Sequence, residues 1–326
     1  MTEKANNYKR LTPKESARAL AAVKDPIVMI HVRPDGDAVG TGAALCEIYR
    51  QLGKETSLIS QDKIPDRLEF ILEKTGVSIA QSAAGKTPVT VDVASPSQLG
   101  SLYSADNAPV FMIDHHAVGE MLCDGYIRPD ASSAAEALLD IVDALIDSSD
   151  VVMTESLAYA LYAAISSDTG CFCYSNTSPK THMRAAELIG AGIDFADINH
   201  RLFCSKSIGQ IKAEGFVGAN IKTAEGGKIG YASITHEDMK SLSLTAEDFE
   251  TAIDIVRSLA GCEIAVTAKE AESGKYKISL RSTGSNVAKV AKIFGGGGHV
   301  RAAGCTVPAQ SADEALEKII KELILI

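Results

Sequence analysis

Residues 109–116 read PVFMIDHH, an apolar run that ends in one acidic residue and two imidazoles. Val, Phe and Ile are enriched in strands, and turn-prone residues precede the run, so the pattern predicts a buried strand. In open α/β sheets, ligands bind beyond the carboxyl ends of the strands. The segment therefore predicts a ligand site at Asp114, His115 and His116. Surface histidines in a chance tripeptide would be the simpler explanation if this segment stood alone.

Other apolar segments end in the same way. Short strand-like or helix-like runs lead into polar residues, which are His31, Asp35 and Asp37, then Asp92, and then Asp168. Each aspartate by itself would be explained as a turn or capping residue. Four such endings in sequence order, two of them carrying histidine, favour one shared site.

The order of the segments predicts the fold class. Strand-like and helix-like segments alternate to about residue 170, which predicts an α/β fold whose mostly parallel sheet carries helices on both faces. Three further strand-like segments and an amphipathic helix at 312–324 predict a smaller C-terminal α/β domain. We expect a first domain at 1–195, a linker at 196–214 and a second domain at 215–326. The apolar stripe of the last helix should pack on that domain's sheet; a membrane surface or a homodimer interface is the alternative.

The proposed ligands indicate which cofactor would bind. Four carboxylates that converge without cations would repel one another and raise one another's pKa values. Two divalent ions about 3.5–4 Å apart would balance that charge. Oxygen ligands with imidazoles and no thiolate favour Mn²⁺ over a cysteine-rich zinc site, with Mg²⁺ or Co²⁺ as alternatives. The residues predict a two-metal hydrolase.

These segments resemble the motifs of a known family. The stretch 31–37 (HVRPDGD), Asp92, the Asp114-His115-His116 triplet and Asp168 resemble the four motifs of the DHH phosphoesterases. The stretch 295–304 (GGGGHVRAAG) resembles the signature of the accompanying DHHA1 domain. The length and the first motif are most similar to the bacterial nano-RNase group. Those enzymes are bifunctional oligoribonucleases that also dephosphorylate 3′-phosphoadenosine-5′-phosphate (pAp).

The resemblance implies a role for each motif residue. It implies that His31, Asp35 and Asp92 hold the first metal, and that the second metal is held by Asp37, Asp92, His115 and Asp168. Asp92 would bridge the two ions and serve catalysis. Asp114 would orient a histidine, and His116 would contact the scissile phosphate or protonate the leaving group.

The predicted second domain carries candidate substrate-binding residues. Arg281, with Ser282 beside it, offers a guanidinium suited to a terminal phosphate. Gly296, Gly297 and Gly298 would let backbone N–H groups form an anion nest before His299, and a flexible hinge is the alternative. The resemblance implies that this domain holds the base and 3′ side of the nucleotide, with the active site in the cleft between the domains.

One position departs from the family pattern. Relatives often carry an arginine before Leu-Gly after the second-motif aspartate, whereas this chain has Gln98. We expect that the missing charge changes the substrate preference and leaves metal binding intact.

Composition limits the partners. The chain has 326 residues and a net charge of −10, which disfavours gripping of long duplexes through many phosphate contacts. Seven cysteines without a CxxC spacing predict reduced thiols in the cytoplasm. Cys171 and Cys173 are expected to pack in the core rather than serve a redox role. No apolar stretch is long enough to predict a membrane span.

The sequence thus predicts a cytoplasmic, Mn²⁺-dependent phosphoesterase. Its expected substrates are short single-stranded RNA, dinucleotides and pAp. A cyclic- or linear-dinucleotide phosphodiesterase, an inorganic pyrophosphatase and a non-catalytic nucleotide sensor stay open as alternatives.

Overall fold

The computed structural model describes residues 8–326, apart from the side chain of His299. The chain forms two compact units, and the division along the sequence falls between Ser205 and Lys206. That point lies within the segment 196–214, which the sequence favours as a linker. Most of this segment is helical, because α7, a π-helical turn and the start of α8 lie in it.

A parallel sheet organises the first unit, as the sequence predicts. Its five strands lie in the order β2-β1-β3-β4-β5, and every neighbouring pair is parallel. The strands are β1 (Pro26–Met29), β2 (Leu58–Ile59), β3 (Thr87–Val91), β4 (Phe111–Asp114) and β5 (Gly125–Ile127).

Seven α-helices accompany this sheet. They are α1 (Pro13–Ala22), α2 (Gly36–Gln51), α3 (Glu69–Thr75), α4 (Ala134–Asp147), α5 (Glu155–Asp168), α6 (Pro179–Gly190) and α7 (Phe195–Asn199), and the π-helical turn His200–Cys204 follows α7. Short 3₁₀ helices occupy Asp66–Leu68, Pro96–Leu102 and Ala105–Asn107. The capping box at Thr12, with Pro13 at the first turn, begins α1 as the sequence predicts.

The two faces of the first sheet bury different partners. Val28, Val89 and Ile113 belong to the larger core, which contains the buried residues of α2, α4 and α5. Ile27 and Met112 belong to a smaller core on which the 3₁₀ segment Pro96–Leu102 and irregular segments pack. Alternate residues of one strand therefore serve two cores, as expected for a sheet covered on both faces.

The second unit contains a mixed six-stranded sheet. Its order is β10-β11-β9-β8-β7-β6, and only β7 and β8 pair in parallel among the described strands. The strands are β6 (Lys222–Ala224), β7 (Ile229–Ile234), β8 (Ile264–Glu272), β9 (Lys275–Ser282), β10 (Gly297–His299) and β11 (Ala302–Pro308). The helices are α8 (Ile208–Ala219), α9 (His236–Leu242), α10 (Ile253–Arg257), α11 (Val287–Ile293) and α12 (Ala312–Leu323).

Helices cover both faces of the second sheet. One core includes α11 and α12, and the other includes α8, α9 and α10. Leu316, Ile319 and Leu323 of α12 are buried in the first of these cores, which confirms the predicted packing of its apolar stripe. Ile324 is half exposed at the helix end.

Two expectations about individual residues need correction. Cys173 is exposed and Cys171 is only partly buried, so the prediction that both pack in the core was wrong. The chain turns outward there because Gly170, Cys171 and Phe172 all have a positive φ. None of the helices within residues 8–326 is both long and apolar enough to cross a membrane.

Candidate active site

The strand order brings three of the predicted motifs to one edge of the first sheet. β1, β3 and β4 are neighbours, and all three run in the same direction. His31 follows the end of β1, Asp92 follows β3 directly, and Asp114 is the last residue of β4. The carboxyl ends of parallel strands meet at one edge, where α/β proteins bind ligands.

Two helices supply the remaining carboxylates. Asp35 is the N-cap of α2, and its Oδ1 accepts hydrogen bonds from the backbone N–H groups of Asp37 and Ala38 at 3.1 and 3.0 Å. Asp168 is the last residue of α5, which packs against α2. The packing of these two helices brings Asp168 to the same edge.

The side chains form three groups whose ligand atoms lie within 4.8 Å of one another: His31, Asp35 and Asp92; Asp37, His115 and Asp168; and Asp92, His115 and His116. All six residues that the sequence predicts as metal ligands are in these groups. Asp92 and His115 each belong to two of them. Asp92 joins the group of His31 to that of His116, and His115 joins the latter to the group of Asp37 and Asp168.

The two ligand histidines present the same nitrogen to the carboxylates. Nε2 of His31 lies 3.4 Å from Oδ2 of Asp92 and 3.7 Å from Oδ1 of Asp35. Nε2 of His115 lies 3.6 Å from Oδ1 of Asp92. Nδ1 of His31 lies 2.8 Å from the carbonyl oxygen of Val32, so a proton at Nδ1 leaves Nε2 free as a ligand.

Asp37 is held by the beginning of α4. Its Oδ2 accepts a hydrogen bond from the N–H of Ala134 at 2.6 Å, and its Oδ1 accepts from the N–H of Ala135 at 3.2 Å. The Thr41 hydroxyl donates to Oδ1 at 2.8 Å. A helix N-terminus favours a negative charge. These contacts fix the buried carboxylate with Oδ2 still only 3.8 Å from Nε2 of His115.

The protein residues alone do not balance the charge of this cluster. Burial and then the charge of Asp92 raise the pKa of Asp37 well above its usual range. Burial also raises the pKa of Asp168 to about 7. Burial alone would lower the pKa of His31, but hydrogen bonds that its ring donates to Asp35 and Asp92 raise the pKa to about 11. Burial and mutual repulsion thus disfavour the charged carboxylates, and a cation among them would offset both effects.

Asp92 supplies a second sign that a cation fits. Its side chain is buried, and Oδ1 has no hydrogen-bond donor among the residues that the structure describes. Its backbone φ of 56° lies in the left-handed region, which is uncommon for a residue other than glycine and is frequent at functional sites. A buried oxygen without a donor is costly unless a cation coordinates it. The carboxylate and imidazole donors suit Mn²⁺, Mg²⁺ or Co²⁺.

His116 is oriented by Asp114. Its Nδ1 lies 2.7 Å from Oδ1 of the buried Asp114, and that oxygen also accepts the N–H of His115 at 2.8 Å. Burial alone would lower the pKa of His116, but the hydrogen bond and charge of Asp114 raise it to about 9. This contact to Asp114 fixes the orientation of the His116 ring.

Gln98 has a local structural contact. Its Oε1 accepts hydrogen bonds from the N–H groups of Ala94 and Ser95 at 2.6 and 3.2 Å, which forms a capping box for the 3₁₀ segment. Its carbonyl oxygen accepts the N–H of Val32 at 2.7 Å. The residue thus secures the loop after Asp92, a contact that the sequence analysis missed although Ser95 and Gln98 have the capping-box spacing.

The second unit positions Arg281 and Ser282 at the end of β9. Arg281 is partly buried, pairs with Ala302 of β11, and donates from Nη1 to the carbonyl oxygen of Leu280 at 3.0 Å. Ser282 is buried, and its hydroxyl donates to the carbonyl oxygen of Ser285. The guanidinium therefore keeps donors for a ligand, whereas the serine hydroxyl is engaged within its own turn.

Two of the glycines are required by packing. A Cβ at Gly296 would lie 2.2 Å from the carbonyl oxygen of Gly304, and one at Gly298 would lie 2.5 Å from that of Ala302. Both contacts come from the close approach to β11, with which β10 pairs. Gly297 has open space. The anion nest stays a prediction, and the side chain of His299 lies outside the described part of the structure.

The structure adds Asn176, a residue that belongs to none of the sequence motifs. The side-chain amide of Asn176 donates to the carbonyl oxygen of Asp168 at 3.1 Å and to its Oδ2 at 3.3 Å. Ser178, in the same segment, is the N-cap of α6 as expected for a helix cap. Nothing in the sequence pattern distinguishes Asn176 from its polar neighbours.

Known proteins share both units. Residues 26–165 match the model of the DHH family, N-terminal domain, and residues 226–324 match that of the DHHA1 domain. The chain is 31% identical over 313 residues to the bifunctional oligoribonuclease and PAP phosphatase NrnA of Thermus thermophilus, covering 94% of this chain and 91% of the relative. It is 26% identical to the protein of the same name from Bacillus subtilis, covering 95% and 96%.

A solved structure shares the fold. The crystal structure of an exopolyphosphatase-related protein from Bacteroides fragilis superposes with a TM-score of 0.87 and 23% identity. The match covers 96% of this chain and 95% of that protein.

Proposed function

The chain belongs to the DHH phosphoesterase family and hydrolyses phosphate esters, and we propose that its substrates are short oligoribonucleotides and pAp. The products would be mononucleotides and AMP. The observation that carries the proposal is the pair of ligand sets that share Asp92 at the carboxyl edge of the sheet. The names of relatives that match nearly the whole chain support the substrate class.

The proposed ligand sets follow the distances in the first unit. His31, Asp35 and Asp92 would hold one divalent cation, and a second would be held by Asp37, Asp92, His115 and Asp168. Such a cation pair would supply an activated water and charge that stabilises both the attacking and the leaving oxygen. Mn²⁺ is the ion that we propose, because oxygen donors outnumber imidazoles and no thiolate takes part.

His116 would act on the leaving group. With its ring oriented by Asp114, the imidazole would donate a proton to the leaving oxygen or bind a phosphoryl oxygen. Asp114 would hold the ring in that orientation and stabilise its protonated form. Asp114 is the last residue of β4 and His116 lies in the turn that follows, so both are already at the carboxyl edge of the sheet.

We propose that the second unit binds the substrate. Arg281 would contact a terminal phosphate, and the glycine-rich stretch would lie beside the nucleotide. Ser282 would contribute through the turn that its hydroxyl secures. Short single strands suit a protein with a net charge of −10, because each added nucleotide would meet an unfavourable potential on an acidic surface. The cytoplasm and a homodimer stay predictions.

A substrate panel tests the proposal. The purified chain with Mn²⁺ is assayed against pAp, RNA from two to ten nucleotides, pyrophosphate and a cyclic dinucleotide at fixed salt. We expect hydrolysis of pAp and dinucleotides, and a kcat/KM that falls as the RNA lengthens. Preferred hydrolysis of the cyclic dinucleotide or of pyrophosphate would contradict the proposal. So would binding of nucleotides without metal-dependent turnover, which would identify a sensor.

A further inference from the structure

We propose that Asn176 is a positioning residue that aims the Asp168 carboxylate at the second cation site. The inference rests on the proposed function, because it assumes that Asp168 is a metal ligand. Asn176 lies in the loop between α5 and α6 and belongs to none of the motifs discussed above. Its contribution would be to hold a ligand in place before the cation arrives.

The contact reaches the oxygen that faces the site. Nδ2 of Asn176 lies 3.3 Å from Oδ2 of Asp168, and this same oxygen lies 3.8 Å from Nε2 of His115. Nδ2 also lies 3.1 Å from the carbonyl oxygen of Asp168. The amide therefore bridges the backbone and the carboxylate of one residue, which limits rotation of that side chain.

The same amide contacts the segment that holds Asp37. Nδ2 of Asn176 donates to the carbonyl oxygen of Ser132 at 2.9 Å. Ser132 lies just before α4, whose first N–H groups bind the Asp37 carboxylate. On its other side, the N–H and hydroxyl of Ser132 donate to the fully buried Glu136 at 3.2 and 2.6 Å. Asn176 thus links the supports of two carboxylates in one ligand group.

The position of Asp168 explains why a donor is needed. The residue ends a helix of 14 residues, where the helix dipole disfavours a negative charge. Asp92 and Asp37 lie nearby and repel it further. A hydrogen bond from a neutral amide to Oδ2 offsets part of this unfavourable electrostatic energy without adding a charge. An aspartate or a glutamate in place of Asn176 could not, because an ionised carboxylate has no proton to donate.

The loop geometry makes the contact possible. Gly170, Cys171 and Phe172 have φ values of 56°, 55° and 63°, so the chain curls tightly just after Asp168. The N–H groups of Cys173 and Tyr174 donate back to the carbonyl oxygen of Thr169 at 3.0 and 2.9 Å. This coil returns Asn176 to the start of the loop, eight residues after the aspartate that it contacts.

Metal binding, rather than activity alone, tests the inference. Mn²⁺ is titrated into the metal-free full chain while electron paramagnetic resonance records free Mn²⁺, for the wild type, Asn176→Ala and Asn220→Ala. Asn220 is a matched control, since it is an exposed asparagine whose Nδ2 donates to the carbonyl oxygen of Phe216 at 2.8 Å in the second unit. If Asn176→Ala does not fold, Asn176→Ser, whose shorter side chain cannot bridge all three oxygens, takes its place.

We expect the wild type and Asn220→Ala to bind two ions, and Asn176→Ala to bind one of them about 10–100-fold more weakly, the usual cost of removing a partner that orients a ligand. Raising Mn²⁺ should restore kcat of Asn176→Ala with an unchanged KM for substrate. Equal affinity for both ions in Asn176→Ala and the wild type would overturn the inference. So would weakening of both ions together with a lower melting temperature of the metal-free protein, since that marks a general structural role. A wild type that binds no Mn²⁺ would instead refute the proposed function itself.

Discussion

Nδ1 of His116 lies 2.7 Å from Oδ1 of Asp114, so the imidazole is oriented by a buried carboxylate from the strand that carries both residues to the site. The two residues belong to one motif, yet they have different positions in the site. Asp114 holds the ring through Nδ1, and His116 carries the imidazole that would contact the substrate. His116 would therefore act on the substrate, and Asp114 would orient His116.

A first prediction follows from that pair. His116→Ala should lower kcat by about 10²–10⁴-fold, because a positioned general acid contributes most in the transition state. Asp114→Asn keeps the shape but removes the charge, and its kcat should lie between those of the wild type and His116→Ala. Steady-state kinetics at saturating Mn²⁺ measure both. A His116→Ala variant that loses affinity for substrate while keeping kcat would assign His116 to binding.

A second prediction concerns Asp92. Asp92→Ala removes the oxygens that face both His31 and His115, so activity should fall to below a few per cent of the wild type while the fold survives. Asp106→Ala, which removes an exposed aspartate of the same unit, should retain full activity. Turnover at saturating Mn²⁺ and far-UV circular dichroism provide the comparison. Substantial activity in Asp92→Ala would rule out a shared carboxylate.

A third prediction separates substrate binding from catalysis. Arg281→Ala should weaken binding of pAp, seen as a raised KM, because a guanidinium suits a terminal phosphate. Turnover of bis-p-nitrophenyl phosphate should stay unchanged, since this compound lacks the nucleotide. Lys277→Ala is a matched control, because Lys277 is an exposed cation on the same face of β9. Equal losses on both compounds would make Arg281 structural.

A fourth prediction concerns stability against acid. Burial of Asp140 favours its neutral form, but hydrogen bonds from Lys180 and Tyr126 and the charge of Arg128 outweigh this and lower its pKa. A lowered pKa in the folded state stabilises the fold at neutral pH, and this stabilisation is lost as pH falls below about 4. The difference in unfolding free energy between the wild type and Asp140→Asn should be about 3 kcal/mol at pH 7 and should shrink in that acidic range.

Urea unfolding across pH 3–8 measures this difference. Asp143→Asn is the control, because Asp143 pairs with Arg184 as Asp140 does but is half exposed. The control should change stability little at any pH. A difference for Asp140→Asn that is constant from pH 8 to pH 3 would show that its stabilisation does not depend on the charge.

The ends of the strands could be predicted from the sequence, but the hydrogen bonds that hold the side chains in place there could not. His31, Asp92 and Asp114 each follow an apolar run, so period and composition indicate where the strands stop and which edge the side chains reach. The bond from Ala134 to Asp37 joins residues 97 positions apart and involves a backbone N–H, a group that every residue except proline has. No side-chain pattern can reveal such a contact.

The second unit shows a different limit. The glycines at 296–298 indicate that another part of the chain or a ligand lies close to their backbone, but the sequence does not show which of the two it is. The structure shows that Gly296 and Gly298 face β11, a strand that the pattern did not reveal because Ala302, Ala303 and Gly304 are weak strand formers. Gln98 is the reverse case, since its capping-box spacing from Ser95 could be read directly.

Anomalous diffraction from crystals of the protein grown with Mn²⁺ is the most direct test of two cation sites that share Asp92. We expect two Mn²⁺ peaks about 3.5–4 Å apart. One should lie beside His31 and Asp35, the other beside Asp37 and Asp168, with the Asp92 carboxylate between them. A single peak, or two peaks that do not share Asp92, would contradict the proposed two-metal site.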